Sequence, residues 1–240
     1  MIAITLGEPA GIGLELVAQL NQEGMLNNCI LIGDQDLVLQ LIPDFPVSHI
    51  HHIPVKDSVK LGHLNKKNAS YVLETIIAAV DGCLDGTYQA MVTCPIHKGI
   101  INDAGVRFSG HTEFLAELTA TDKVIMMLLN DVMRVALVTT HMPLKDVSEH
   151  VTFDAIIETC EIVAQDLKSK FGIESPKIAL CGLNPHAGES GHMGMEEIET
   201  IIPAINYLKS KGIGVDGPYP ADTLFTPNKV KSFDATIAMY

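Results

Sequence analysis

The sequence predicts an α/β fold with a largely parallel sheet. Two observations carry that expectation. Short apolar runs alternate with helical patterns long enough to cross back over a sheet. The chemically unusual residues fall just after the apolar runs, where open α/β sheets place their ligands. In chain order, residues 2–6 form a compact β-type run ending in Gly7-Glu8-Pro9-Ala10-Gly11, and a helix is expected over 12–20. A second short strand is expected at 29–32, closed by Gly33-Asp34, with a helix over 35–42. Residues 70–82 read as a strong amphipathic helix, with Val72, Ile76, Ile77 and Val80 on one face. Strand-like runs follow at 90–93, 135–140 and 177–181, with helices expected over 153–171 and 195–211. Residues 43–67 carry no periodicity and read as loop; they hold His49, His51, His52 and His63.

Composition narrows the function classes. The 240 residues are 47% hydrophobic and only 19% charged, which argues for an ordered chain with a substantial core. Sixteen Lys and Arg against 29 Asp and Glu leave a formal net charge of −13. Such a chain repels nucleic-acid phosphates, so any bound phosphate has to be met by backbone N–H groups and a few placed cations. The five cysteines form no CxxC pair, so neither a cysteine zinc site nor a disulfide framework is expected. Residues 1–11 lack the basic-then-apolar pattern of a signal peptide, and no apolar run reaches the roughly 20 residues that span a bilayer. A cytoplasmic protein acting on something small is the expectation.

Four stretches carry candidate chemistry. Thr5-Leu6-Gly7-Glu8-Pro9-Ala10-Gly11-Ile12-Gly13 is a glycine-rich turn from strand into helix; it is neither GxGxxG nor a P-loop. It is either a tight structural turn or a wall of the site. Thr93-Cys94-Pro95-Ile96-His97-Lys98-Gly99 and then Ser109-Gly110-His111-Thr112-Glu113 bring imidazoles, hydroxyls and an ammonium to a helix entry. Ser109 or Thr112 could cap that helix, or His111 beside Thr112 could hydrogen-bond a phosphate or a hydroxyl-bearing substrate. His141 in Thr139-Thr140-His141-Met142-Pro143 and His186 in Asn184-Pro185-His186-Ala187-Gly188 each follow a strand. Two imidazoles gathered from separate strand ends suit a cation, although a histidine pair alone is weak evidence. His192, flanked by glycines, reads better as a surface or hinge residue, and the histidines at 49, 51 and 52 as a solvated loop.

The segments ITLGEPAGIG, HKGIINDAG, FSGHTEF, TTHMPL, CGLNPHAGE, GHMGMEE and PADTLF resemble those of the 4-hydroxythreonine-4-phosphate dehydrogenases, in the same order along the whole chain. These are NAD-dependent enzymes of pyridoxal phosphate (vitamin B6) biosynthesis. The resemblance implies an α/β/α sandwich like that of isocitrate and isopropylmalate dehydrogenases, with a mixed, largely parallel sheet. Residues 1–240 would form one α/β unit of two interleaved subdomains around a cleft, in a homodimer. It implies NAD, or NADP, and a divalent metal (zinc, magnesium, manganese or cobalt). His141 and His186 match two of the family's three metal-binding histidines, and His111 and Thr112 match residues that contact its phosphorylated substrate. Lys98 and Asp222 lie in matched motifs as candidates for acid–base or orienting roles. The family usually continues past Ala238-Met239-Tyr240 with a third histidine and further substrate-binding residues, so this chain is expected to lack the family's C-terminal portion and to bind metal weakly. The implied reaction is oxidation and decarboxylation of 4-phosphooxy-L-threonine to 3-amino-2-oxopropyl phosphate. A paralogue acting on D-threonate or D-erythronate 4-phosphate, and a non-catalytic remnant, are the alternatives.

Overall fold

The first strand, β1 (Ile2–Thr5), is short and buried along nearly its whole length, and everything in the first half of the chain is arranged on it. A computed structural model describes all residues 1–240, which divide into two units, Met1–Val124 and Ile125–Tyr240. The α/β expectation holds in both.

In the first unit β1 is followed by α1 (Gly13–Gln22), β2 (Cys29–Gly33), α2 (Gln35–Leu41), β3 (Ile50–His52), α3 (Ala69–Leu84), β4 (Ala90–Thr93), α4 (Lys98–Asp103) and α5 (His111–Leu118). The sheet order is β3-β2-β1-β4, with every pair parallel. The chain moves outward from β1 to β2 and β3, then returns on α3 to place β4 on the other side of β1. The crevice between the C-terminal ends of β1 and β4 is therefore a topological switch point. Helix α3 buries Val72, Ile76 and Val80, as its periodicity predicts, together with Tyr71, Thr75 and Ala79; Ile77 stays half-buried. Asp34 caps α2 by accepting from Asp36 and Leu37 N–H groups. Strand β3 lies inside the stretch expected to be loop, where its three residues pair only with β2.

The second unit contains β5 (Met127–Leu129), β6 (Arg134–Leu137), α6 (Val147–His150), α7 (Phe153–Ser169), β7 (Ile178–Cys181), α8 (Ile202–Ser210), β8 (Val215–Tyr219), α9 (Ala221–Leu224), α10 (Pro227–Val230) and β9 (Ala235–Ala238). Its sheet runs β5-β6-β9-β7-β8, parallel except for the β5–β6 hairpin at one edge. The last strand enters the middle of the sheet, closing the gap between β6 and β7. Ile156, Cys160, Val163 and Leu167 of α7 pack with Ile201, Ile205 and Leu208 around Ile178, Leu180 and Ile237 to make the core. The helix expected over 195–211 begins as a π-helical turn, Glu197–Ile201, before α8. All five cysteines are free, and burial pushes the Cys160 thiol up to about 12 and Cys181 to about 11. No helix is long and apolar enough to cross a membrane.

Candidate active site

At the switch point of the first unit the loops after β1 and β4 lie backbone against backbone. Glu8 N–H donates to Pro95 O at 3.0 Å. Gly7 has φ +71°, and a Cβ there would overlap the Pro95 carbonyl. The glycine at this place is thus required by close approach of the two loops, the structural alternative for that turn. Glu8 is nearly fully buried; its Oε1 accepts from Ala10 N–H, and burial raises its carboxyl above the usual range. Beyond β4, His97 caps α4 by accepting from Ile100 N–H at 3.1 Å. Asn102 then fixes the next loop. Its Nδ2 donates to Lys98 O (2.8 Å) and Phe108 O (2.9 Å), and its Oδ1 accepts from Phe108 N–H (3.1 Å). Phe108 is buried against Phe114 and meets the His111 ring edge-on.

The result is that Lys98, His111 and Thr112 stand at one strand end, at the N-termini of α4 and α5. His111 Nε2 is buried and has no hydrogen-bond partner within the protein. Burial, and then the nearby Lys98 ammonium, hold the His111 imidazole below its ordinary value. It is therefore a neutral ring beside a cation, with one buried nitrogen that no protein group satisfies. Thr112 is exposed in the first turn of α5, and its side chain caps nothing.

In the second unit the strand ends gather a different set. Past β6 the chain stays paired to the end of β9: Val138 N–H donates to Ala238 O, Thr139 N–H to Met239 O, and Thr139 Oγ1 to the same carbonyl at 2.7 Å. That pairing sets Thr140 and His141 beside Tyr240; His141 itself has φ +53°. A cavity of about 290 Å³ is lined there by Thr139, Thr140, His141 and Tyr240 among others. On the other side of β9 a cavity of about 450 Å³ is lined by Asn184, His186, Asp222, Phe225, Met239 and Tyr240 among others. Asp222 Oδ1 accepts from Thr223 N–H at 2.8 Å. Tyr240 is common to both cavities, so His141 and His186 flank the end of one central strand.

His186 opens an unusual segment. Five successive residues, His186, Ala187, Gly188, Glu189 and Ser190, have positive φ between +44° and +77° and form a left-handed helical turn. Each non-glycine residue there costs about 1 kcal/mol or more relative to right-handed backbone. Strain of this kind persists only where the surroundings over-determine it, and it clusters at functional sites. Here His186 Nδ1 is 2.5 Å from Glu189 Oε1, and that contact raises the imidazole above its ordinary value, with Asp222 adding to it. The buried Glu197 carboxylate underlies the turn: Oε1 accepts from Leu183 and Asn184 N–H groups at 2.8 Å each, and Oε2 from Asn184 Nδ2 at 2.9 Å. Glu197 and Asn184 were not singled out by sequence reasoning. The signal available was a carboxylate at a helix entry, which reads as an ordinary solvated first-turn residue.

The donor types fit a divalent cation. Glu189 occupies Nδ1 of His186, leaving Nε2 as the donor nitrogen, the arrangement that commonly orients a metal-binding imidazole. No three His, Cys, Asp or Glu side chains are gathered into one cluster, so His141 and His186 are two donors and not a completed coordination shell. In the glycine turn at residues 7–13, Gly7 and Gly13 are closed by the backbone at Pro95 and Leu6, and the turn does not identify the residues that meet a nicotinamide cofactor. Lys98, His111 and Thr112 are brought together in the first unit; in the second, His186 and Asp222 line one cavity and His141 lines another, and the two cavities share Tyr240. His192 and the histidines at 49, 51, 52 and 63 join neither group: His51 bonds Tyr88 and His52 accepts from Gln35 N–H, both structural contacts.

Known proteins resemble the chain along its whole length. The family model described as pyridoxal phosphate biosynthetic protein PdxA matches residues 18–240. A 4-hydroxythreonine-4-phosphate dehydrogenase of Chromobacterium violaceum is 48% identical over 257 aligned residues, covering 100% of this chain and 78% of that protein. The enzyme of that name from Pseudomonas syringae pv. tomato is 47% identical, covering 99% of this chain and 79% of its own. Among solved structures, the Klebsiella pneumoniae 4-hydroxythreonine-4-phosphate dehydrogenase superposes with a TM-score of 0.90 at 30% identity, over 100% of this chain and 81% of that one. One from Burkholderia phymatum gives 0.83 at 34% identity, over 100% and 79%.

Proposed function

The chain belongs to the PdxA family of pyridoxal phosphate biosynthetic proteins, and from that premise we propose that it is a nicotinamide-dependent dehydrogenase that oxidises and decarboxylates 4-phosphooxy-L-threonine. The observation that best supports this reading is His111 Nε2, a buried and unpartnered nitrogen beside an ammonium at a strand end. A ring held neutral by burial donates from Nε2 to a phosphate oxygen in one of its two tautomers. The Thr112 hydroxyl and the free N–H groups of the first turn of α5 supply further donors, and the helix dipole favours the anion. Lys98 orients the substrate by pairing with its negative charge. No nucleic acid or membrane partner enters this reading, and a homodimer is its expected assembly.

A bound nicotinamide would supply the hydride acceptor for the hydroxyl-bearing carbon. A divalent cation held by His141 and His186 would supply Lewis acidity toward the hydroxyl oxygen. Zinc, magnesium, manganese and cobalt all accept imidazole donors. Asp222 is the proton carrier: one carboxylate oxygen accepts from Thr223, and Oδ2 takes the hydroxyl proton as the ketone forms. The β-keto acid then loses its carboxylate as carbon dioxide, and the proton returns from Asp222 to the carbon that carried it. The product is 3-amino-2-oxopropyl phosphate.

The test is NADH formation by the purified chain on 4-phosphooxy-L-threonine and on D-erythronate 4-phosphate, with His111→Gln and Asp222→Asn alongside. The proposal expects the larger kcat/KM on the amino acid, a raised KM in H111Q and a lowered kcat in D222N. Preference for the hydroxy acid would reassign the substrate, and no turnover of either by the folded chain would refute the activity.

A further inference from the structure

Glu197 lies on the π-helical turn that precedes α8, only 2% exposed, and its carboxylate is directed onto the segment that carries His186. Both oxygens are used: Oε1 takes two backbone N–H groups, those of Leu183 and Asn184, and Oε2 takes the Asn184 side chain. The fit continues under the left-handed turn. A Cβ placed on Gly188 would stand 2.5 Å from Glu197 Oε2, and one on Gly182 would stand 2.9 Å from Oε1. The carboxylate therefore fills the hollow that the two glycines leave. A π-helical turn often marks a functional position, because it is kept only where it brings a side chain somewhere a regular helix would not.

We infer that Glu197 is the positioning residue of the His186 turn: by gripping Leu183 and Asn184 at its entry and filling the hollow under Gly188, it holds the left-handed course of residues 186–190 and so sets where the imidazole stands. This rests on the reading of His186 as a cation donor, but its first step, that the carboxylate holds the turn, does not. A glutamine at 197 keeps the volume yet replaces one acceptor oxygen with an NH2 group, which faces either two backbone N–H groups or the Asn184 amide. One side of the grip is lost, and donors are set against donors.

The test uses the 240-residue chain, with amide hydrogen exchange read by mass spectrometry and Co2+ alone as the probe for the imidazole. In Glu197→Gln the peptide spanning 182–191 is expected to exchange about tenfold faster, the loss of one charge-assisted hydrogen bond. Co2+ affinity, read from its visible absorption, is expected to fall about 10- to 100-fold, as when an outer partner of a metal-binding histidine is removed. Gly188→Ala leaves the carboxylate in place and presses a methyl on it; it is expected to loosen the same peptide, and it decides the question if Glu197→Gln does not fold. Unchanged exchange at 182–191 in both variants, with only the melting temperature lowered, would overturn the inference. Faster exchange with unaltered Co2+ affinity would overturn the positioning step. If the unsubstituted chain takes up no Co2+, the cation reading of His141 and His186 fails, and the exchange result alone decides whether Glu197 holds the turn.

Discussion

Asn102 anchors the loop that leads to His111 without touching that ring, and if His111 binds the phosphate as proposed, Asn102→Ala separates binding from placing the group that binds. The side chain makes three hydrogen bonds, to Lys98 O, Phe108 O and Phe108 N–H, at 2.8–3.1 Å. At about 1 kcal/mol each, and less for the solvent-exposed bond to Lys98 O, their removal costs about 2 kcal/mol. With about 4 °C lost per kcal/mol for a chain of this size, thermal unfolding followed by circular dichroism should shift down by roughly 8 °C. The loop carrying Ser109, Gly110 and His111 loses its anchor, while the His111 side chain is chemically intact. KM for the phosphorylated substrate should therefore rise, about tenfold for each 1.4 kcal/mol of lost placement, with kcat much less affected. Asn102→Asp keeps the acceptor for Phe108 N–H but turns both donations into repulsions of carbonyl oxygens, and should be no better than alanine. A melting temperature within about 2 °C of the unsubstituted chain, with KM unchanged, would refute the claim that Asn102 organises this end of β4.

Gly7→Ala should cost about 2 kcal/mol or more, since it adds a collision with Pro95 O to a positive φ, whereas Gly24→Ala, at the same φ with open space around it, should cost about 1 kcal/mol; equal losses in urea unfolding would contradict the packing argument. Ile237→Ala empties the middle of β9, between Ala136 and Leu180, and should cost about 3 kcal/mol in the same assay. A loss under about 1 kcal/mol would mean that β9 is not a core strand. His111 titrates below 6.5 in the folded chain, so the unfolded chain binds its proton first. Its share of stability is complete above pH 6.5 and declines as the pH falls below that value; His111→Gln should flatten this acid limb, and an unaltered limb in urea titrations would count against the buried ring.

The parts of the fold that were legible in the sequence are those whose periodicity is long or whose ends are punctuated. Helix α3 could be read because Val72, Ile76 and Val80 recur at helical spacing over 16 residues, and α7 for the same reason over 17. Strands β1, β2, β4, β6 and β7 stood out as apolar runs next to glycine, proline or threonine. Strands β3, β5, β8 and β9 did not. β3 is Ile-His-His and β8 contains Gly217-Pro218, so neither carries an apolar pattern. β9, Ala-Thr-Ile-Ala, is central to its sheet but too short and too rich in alanine to announce a strand. Its place between β6 and β7 is a long-range fact, imposed by the gap those strands leave.

The site shows the same division more sharply. His141 and His186 could be singled out as candidates because imidazoles shortly after strands are unusual and chemically able, and His111 because it opens a helix beside hydroxyls. What makes them specific was hidden, since Asn102, Glu189 and Glu197 are residue types that normally face water in helices and loops. The left-handed turn at 186–190 is the clearest case. Ala187, Glu189 and Ser190 have no preference for positive φ, and only Gly188 hints at it. Such a course cannot come from local propensity; it has to be imposed by partners distant in sequence. Glu197 is the partner best placed to do so, because it alone binds both the entry to the turn, at Leu183 and Asn184, and the hollow beneath Gly188. A chain that accepts several disfavoured residues in a row, and buries a carboxylate to hold them, is holding the one side chain that begins that row.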